Sequence, residues 1–126
     1  YACFAFLISL IREIVKDAED EVGDRASNRK TIPIVLGKST TKIILSVLII
    51  ITAIACGRVL FNYFYSYQFV NFWKILFCFE IPFAALFMLI VLAKKKKDFS
   101  RLSFLIKVYM LAGILTMIPL YYFFLI

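Results

Sequence analysis

The chain from Ile43 to Gly57 reads IILSVLIIITAIACG and contains no charged residue. Beyond Arg58 the apolar character continues to Phe61, so one apolar run covers residues 43–61. A helix that crosses the hydrocarbon core of a bilayer needs about 20 mostly apolar residues. We therefore predict that this run forms a membrane-spanning helix.

Three other stretches extend the same pattern. Residues 72–93 and 102–126 are long apolar runs, interrupted only by Lys74, Glu80 and Lys107. Residues 1–22 begin with an apolar stretch that reaches only about half way across a bilayer, and we interpret them as the end of a helix that starts before Tyr1. The sequence thus predicts an all-α, multi-pass transmembrane helix bundle with three full spans, the end of a fourth, and a cytoplasmic loop at 23–42.

Composition excludes several classes of protein. Hydrophobic residues make up 63% of the chain and charged residues 18%, against roughly 45–50% and 25% in soluble domains. The absence of His removes imidazole as a metal ligand or general base, and the three Cys lie far apart in apolar runs, as inert hydrophobic residues do. A net charge of +7 without a soluble basic module indicates contact with the inner membrane leaflet, not with nucleic acid.

Basic residues predict the orientation in a cell membrane. They are frequent in residues 16–42 and 94–101 and absent from residues 62–71. The positive-inside rule then places both basic segments in the cytoplasm. The run Lys94–Lys97 fits two interpretations, a topology anchor or a binding site for anionic lipid, of which we favour the anchor.

Carboxylates are concentrated just before the first cytoplasmic segment. Six of the eight acidic residues lie between residues 13 and 24. Asp17, Asp20 and Asp24 are spaced i, i+3 and i+7, which places them on one helical face, together with Glu13 and Glu21. The apolar residues of the same segment occupy another face of the predicted helix: Ile11, Ile14, Val15, Ala18 and Val22.

Stacked carboxylates indicate a cation site. Like charges at helical spacing repel by a few tenths of a kcal/mol per pair, and a divalent cation reverses that cost. Oxygen ligands suit Mg²⁺ or Mn²⁺, and Mg²⁺ commonly joins one or two carboxylates to substrate phosphates. The candidate carboxylates of the metal site are Asp17, Asp20, Asp24 and Glu21. The basic residues that would meet the remaining phosphate charge are Arg25, Arg29 and Lys30.

Two alternatives stay open at this point. Glu21 lies four residues after Asp17, so these two carboxylates offer a second, i, i+4 register for the cation. The spacing does not choose between this register and that of Asp17, Asp20 and Asp24. An acidic loop in water with no ligand is the other alternative, since most runs of charge are solvated. Alignment on one face at a cytoplasmic helix end favours the site.

The wording of the acidic segment resembles a known family. Residues 12–25 read REIVKDAEDEVGDR and residues 30–37 read KTIPIVLG. Together they resemble the second aspartate-rich signature of the UbiA-type intramembrane prenyltransferases, DxxDxxxD followed by a basic loop, a Thr-(Leu/Ile)-Pro stretch and a glycine. They are most similar to the geranylgeranylglycerol-phosphate geranylgeranyltransferase branch, although relatives that act on aromatic acceptors share much of the wording.

The resemblance implies a bundle of nine membrane helices with two facing Asp-rich motifs. These motifs would bind Mg²⁺ and the diphosphate of a polyprenyl donor, whose prenyl group passes to a lipid or aromatic acceptor. Asp17, Asp20 and Asp24 would form the metal and diphosphate face, with Lys30 as a diphosphate contact. Because the first motif is absent from this chain, we expect that the missing N-terminal half of the protein supplies it and that residues 1–126 alone are inactive.

A rival interpretation is a transporter or channel fragment with an acidic vestibule for cations. It does not call for the Thr-Ile-Pro segment or for the basic loop after the acids.

Two charges lie deep in the predicted spans. Arg58 comes 15 residues after Ile43 and Glu80 comes 14 residues before Lys94, so both lie roughly 21–23 Å from the inner boundary. Their helices are joined by a short loop and should be antiparallel neighbours. We predict a structural ion pair between Arg58 and Glu80, with Lys74 as the alternative partner of Glu80.

Overall fold

The structure is a computed structural model that describes residues 2–65, 72–116, 118 and 121–122, without the side chains of 63–65 and 72–79. These ranges contain helices and no strand, which confirms the all-α prediction. The helices are α1 (Ala2–Glu19), α2 (Glu21–Ala26), α3 (Ile32–Leu36), α4 (Lys38–Tyr65), α5 (Phe72–Leu92) and α6 (Lys96–Leu115).

The four long helices form a bundle in which each packs against two others. Helix α1 contacts α4 and α6, and α5 contacts the same two helices. Helices α4 and α5 are antiparallel, because Lys42 near the start of α4 donates from Nζ to the Val91 carbonyl near the end of α5 (3.5 Å), while Gly57 lies beside Glu80 further along. The start of α4, the end of α5 and the start of α6 therefore share one end of the bundle, here called the charged end.

Apolar side chains from all four long helices fill the centre of the bundle. Phe83 and Tyr109 make an edge-to-face contact with ring centroids 4.9 Å apart, and Phe4 lies 6.4 Å from Phe83. Such contacts are worth about 0.5–1.5 kcal/mol beyond burial. The most completely buried apolar residues are Ile8, Ile11, Val15, Leu45, Ile49, Phe83, Ile90, Phe99, Leu102 and Ile106.

The outer surface of the bundle is also apolar. Within the described residues one stretch, Lys38–Asn62 in α4, is long and apolar enough to cross a membrane, and 17% of its most apolar window is buried. The apolar part of α5 that is described, Glu80–Leu92, is shorter. The run at 43–61 thus has the properties predicted for a span, whereas the count of three spans and part of a fourth stays a prediction.

The acidic segment differs from the uninterrupted helix expected over residues 1–22. Helix α1 ends at Glu19, and Asp20, with φ −92° and ψ 11°, separates it from α2. Backbone bonding nevertheless continues across the junction, since the Asp20 amide donates to Lys16 and the Asp24 amide donates to Asp20, both at 2.9 Å. Val22 does not join the buried apolar face of α1 and is 79% exposed.

Residues 23–42 contain more helix than the predicted loop. Helix α3 begins after Thr31 and has Pro33 in its first turn, where the missing N–H of proline costs nothing. It ends at Gly37, whose φ of +84° with ψ of 164° is a conformation that only glycine adopts readily. This turn starts α4 at Lys38, within the predicted loop.

Candidate functional site

The acidic face lies where α1 passes into α2. Asp17 is on α1, Asp20 is the junction residue, and Asp24 is on α2. Asp17 is half-buried and Asp20 is exposed, whereas the Asp24 side chain is only 14% exposed. Backbone hydrogen bonding continues through the junction, and the alignment of the three carboxylates as one metal site stays a prediction.

Crowding of negative charge perturbs the central carboxylate of this face. Burial raises the pKa of the Asp17 carboxyl above its ordinary value of 3.8, and the negative charge of Asp24 raises it further. Glu13 and Asp20 act in the same direction, whereas Lys16 lowers the pKa. The face therefore holds more negative charge than its neighbours compensate, as a cation site requires.

Glu21 points into a different set of contacts. It is the one buried acidic residue in the described part of the chain. Its Oε1 accepts a hydrogen bond from Arg25 at 3.0 Å, and its Oε2 lies 3.6 Å from Lys38 Nζ at the start of α4. Both oxygens are therefore engaged, and the contact with Lys38 joins α2 to the start of α4.

Sequence reasoning missed the role of Lys38. The ion pair between Glu21 and Arg25, which are four residues apart on α2, was not predicted either. Lys38 lies 17 residues after Glu21, and only the turns around α3 bring the two together. Thr31 was also missed as an individual residue: its Oγ1 is buried and, in the described structure, without a hydrogen-bond partner.

The basic residues predicted to contact diphosphate surround the acidic face unequally. Asn28, at φ 54°, turns the chain so that the Arg29 amide donates to the Asp24 carbonyl at 2.9 Å. The same turn brings the Arg29 guanidinium to 3.9 Å from the Asp24 carboxylate. Arg25 is held by Glu21, and Lys30 is exposed.

The acidic face offers oxygen donors to a divalent cation but does not enclose one. Among the described residues, no three acidic or thiol side chains converge closely enough to enclose a metal. Mg²⁺ does not need such a cage, because it commonly binds through one or two carboxylates together with substrate phosphates. Asp17 and Asp24 supply oxygen donors of the right kind, and their excess charge fits a cation shared with a phosphate ligand.

The predicted Arg58–Glu80 pair stays a prediction. Glu80 Oε1 lies 3.0 Å from the position that a Cβ on Gly57 would take, so the carboxylate rests against α4 one residue before Arg58. Among the ion pairs of the described side chains none joins Arg58 to Glu80. The side chain of Lys74, the alternative partner, lies outside the described residues.

Charge repulsion on the acidic face should be measurable as stability. At pH 7 without divalent cations, Asp17→Asn should raise the free energy of unfolding by a few tenths of a kcal/mol, because it removes one of several like charges. The folded-state pKa of Asp17 is raised, so native stability falls as pH rises through 3.8 toward that pKa. The gain from Asn should therefore vanish below pH 3.8, where the carboxyl is protonated in both states.

Thermal unfolding in detergent at pH 7 and pH 3, followed by circular dichroism, measures this difference. Glu19→Gln is the control, since Glu19 lies on the opposite side of α1 and changes the net charge equally. A loss of stability for Asp17→Asn at pH 7 would contradict the crowded face.

Comparison with known proteins gives one family and several relatives. The model of the UbiA prenyltransferase family matches residues 1–111. The digeranylgeranylglyceryl phosphate synthase of Methanosphaera stadtmanae is 32% identical over 108 residues, which is 86% of this chain and 39% of the relative. That of Pyrococcus furiosus is 43% identical over 54 residues, 43% of this chain and 20% of the relative. The chain thus spans well under half the length of these relatives, and no solved structure matches it.

Proposed function

We propose, because this chain belongs to the UbiA prenyltransferase family, that it is part of an enzyme that transfers a prenyl group from a polyprenyl diphosphate to an acceptor in the membrane. The observation that carries the proposal is the acidic face at the charged end, where the crowded carboxylate of Asp17 lies near Asp24, which Arg29 accompanies at 3.9 Å. A prenyl diphosphate is complementary to such a site, because its diphosphate leaving group must be stabilised by cations.

In the proposed mechanism Asp17 and Asp24 would hold Mg²⁺, and Asp20, which is exposed, would lie at the edge of the site. When bound, Mg²⁺ stabilises the charge that develops on the departing diphosphate. Arg29 would turn its guanidinium to diphosphate oxygens, for which the planar group is suited, and Arg25 would offer its remaining N–H donors while it keeps its contact with Glu21. Lys30, exposed next to Arg29, adds a further positive charge.

Glu21 acts in this proposal as a positioning residue. Its contacts with Arg25 and Lys38 hold α2 against the start of α4, which fixes where Asp24 lies relative to Asp17. A metal ligand would have to give up these contacts. The proposed metal set therefore rests on Asp17, Asp20 and Asp24 rather than on Glu21.

The acceptor that we propose is geranylgeranylglyceryl phosphate, a lipid, because the relatives are named digeranylgeranylglyceryl phosphate synthases.

The chain aligns with only 39% of the Methanosphaera stadtmanae relative. We propose that further helices of the same protein supply the opposing Asp-rich motif and that residues 1–126 alone do not turn over substrate. The proposed location is the cell membrane, with the charged end in the cytoplasm. The family match lends no support to a transporter or channel.

The acceptor is tested in membranes that contain the full-length protein, with Mg²⁺ and labelled geranylgeranyl diphosphate. Product should form at least about tenfold faster with geranylgeranylglyceryl phosphate than with 4-hydroxybenzoate, because an enzyme discriminates between substrates by binding their transition states unequally. Equal rates, or a preference for the aromatic acid, would reject the lipid acceptor while leaving prenyl transfer in place. No product with either acceptor would count against the proposed function itself.

A further inference from the structure

An open groove lies on the outer side of α6, near its start. Its volume is about 520 Å³, and its lining residues are Lys97, Ser100, Arg101, Phe104 and Leu105. These residues follow the spacing i, i+3, i+4, i+7 and i+8, which is one stripe along a helix. The opposite side of α6 is buried in the bundle through Phe99, Leu102, Ser103 and Ile106, so the groove faces away from the other helices.

Positive charge is concentrated at one end of this stripe. Five basic residues, Lys94–Lys97 and Arg101, surround a single carboxylate, Asp98. That carboxylate accepts hydrogen bonds from the backbone amides of Lys94 (3.1 Å) and Lys95 (3.0 Å), and these bonds hold its pKa below the ordinary value. Because Asp98 caps its own helix, its Oδ2 is occupied by the backbone amides of Lys94 and Lys95.

The apolar part of the groove begins one to two turns further along α6. Phe104 is 65% exposed and Leu105 39%, and Phe104 lies roughly 10 Å along the axis from Lys97. A cationic head region followed by an apolar trough matches a molecule with an anionic head and a hydrocarbon tail. A free phosphate ion would use only the first half of the groove.

We propose that the α6 groove binds one anionic phospholipid. Its phosphate lies between Lys97, Ser100 and Arg101, and the first part of an acyl chain lies along Phe104 and Leu105. The groove gives the basic run a specific ligand in addition to a role in setting topology. The proposal does not depend on prenyl transfer, because none of these residues belongs to the acidic face.

Native mass spectrometry of the chain in neutral detergent micelles tests the proposal, with phosphatidylglycerol and phosphatidylcholine of the same acyl chains as probes. Phosphatidylglycerol should bind at least tenfold more tightly. Each cation near an anionic surface contributes roughly a fivefold change in affinity, so Lys97→Gln with Arg101→Gln should weaken phosphatidylglycerol binding about 25-fold. Binding of phosphatidylcholine should change little.

The matched control is Lys94→Gln with Lys96→Gln, which removes the same charge from residues that do not line the groove. It should weaken binding less than about threefold, since distant charges act only through the screened field. Equal losses in the two double variants would overturn the site and leave only diffuse attraction. If the Lys97 and Arg101 double variant loses its helical circular dichroism, the single change Arg101→Gln replaces it, with an expected fivefold loss.

Two further measurements distinguish the binding of a phospholipid from the binding of free phosphate. Inorganic phosphate at the concentration of the lipid should not displace phosphatidylglycerol, and Phe104→Ala should weaken long-chain phosphatidylglycerol without changing the affinity for glycerol phosphate. Displacement by inorganic phosphate, or no effect of Phe104→Ala, would overturn the lipid assignment.

Discussion

Changing Asp17, Asp20 or Asp24 to Asn should each lower prenyl transfer at least about a hundredfold, the scale of losing one key contact to developing charge. Asn keeps the size of the side chain but removes the negative charge that a divalent cation requires. Asp17 and Asp24 should show the larger losses, because they are the less exposed members of the face. Initial rates in membranes, normalised to the amount of full-length protein, measure the effect.

Glu19→Gln provides the matched control for these variants. Glu19 is the last residue of α1 and lies about 160° around the helix from Asp17, so its change should leave the rate within about twofold. Chelation of Mg²⁺ should bring the native protein down to the level of the Asn variants and should hardly affect those variants further. Near-native turnover in all three Asn variants would remove the acidic face from the mechanism.

The face itself was predictable because it depends on local spacing. Asp17, Asp20 and Asp24 fall on one side of any continuous helix, and backbone hydrogen bonding continues through Asp20 even though the helix is interrupted there. Burial of Ile11 and Val15 on the other side follows from the same periodicity. The pairing of Glu21 with Arg25 at 3.0 Å also follows local i, i+4 spacing, although we had assigned the two residues to the metal and to the diphosphate.

The sequence could not predict contacts between segments that are distant along the chain. The contact of Glu21 with Lys38 requires the turn at Gly37, where a conformation peculiar to glycine redirects the chain. The α6 groove likewise depends on which side of α6 the bundle buries, and a helix with charges at its start and apolar residues on several sides does not reveal this. Hydropathy predicted α4 well because a long apolar run has few alternatives.

Arg58 and Glu80, charged residues on two neighbouring helices that we predict to lie within the membrane, should show strong coupling. Glu80 is half-buried and its carboxylate lies against Gly57, the residue before Arg58. In a bilayer an ionised side chain at this depth is costly unless it is paired or hydrated. The long Arg58 side chain begins next to the carboxylate and is therefore the nearest cation on α4 that can compensate it.

Arg58→Leu and Glu80→Leu should each lower the free energy of unfolding by about 3 kcal/mol, because each leaves one charge without its partner. The double variant should lose less than either single variant, since it leaves no charge behind. Unfolding of the chain by a denaturing detergent, followed by circular dichroism, gives the three free energies. A second cycle with Lys74→Leu and Glu80→Leu tests the alternative partner. Additive losses in the first cycle would mean that Arg58 and Glu80 do not interact, and coupling found only in the second would assign Glu80 to Lys74.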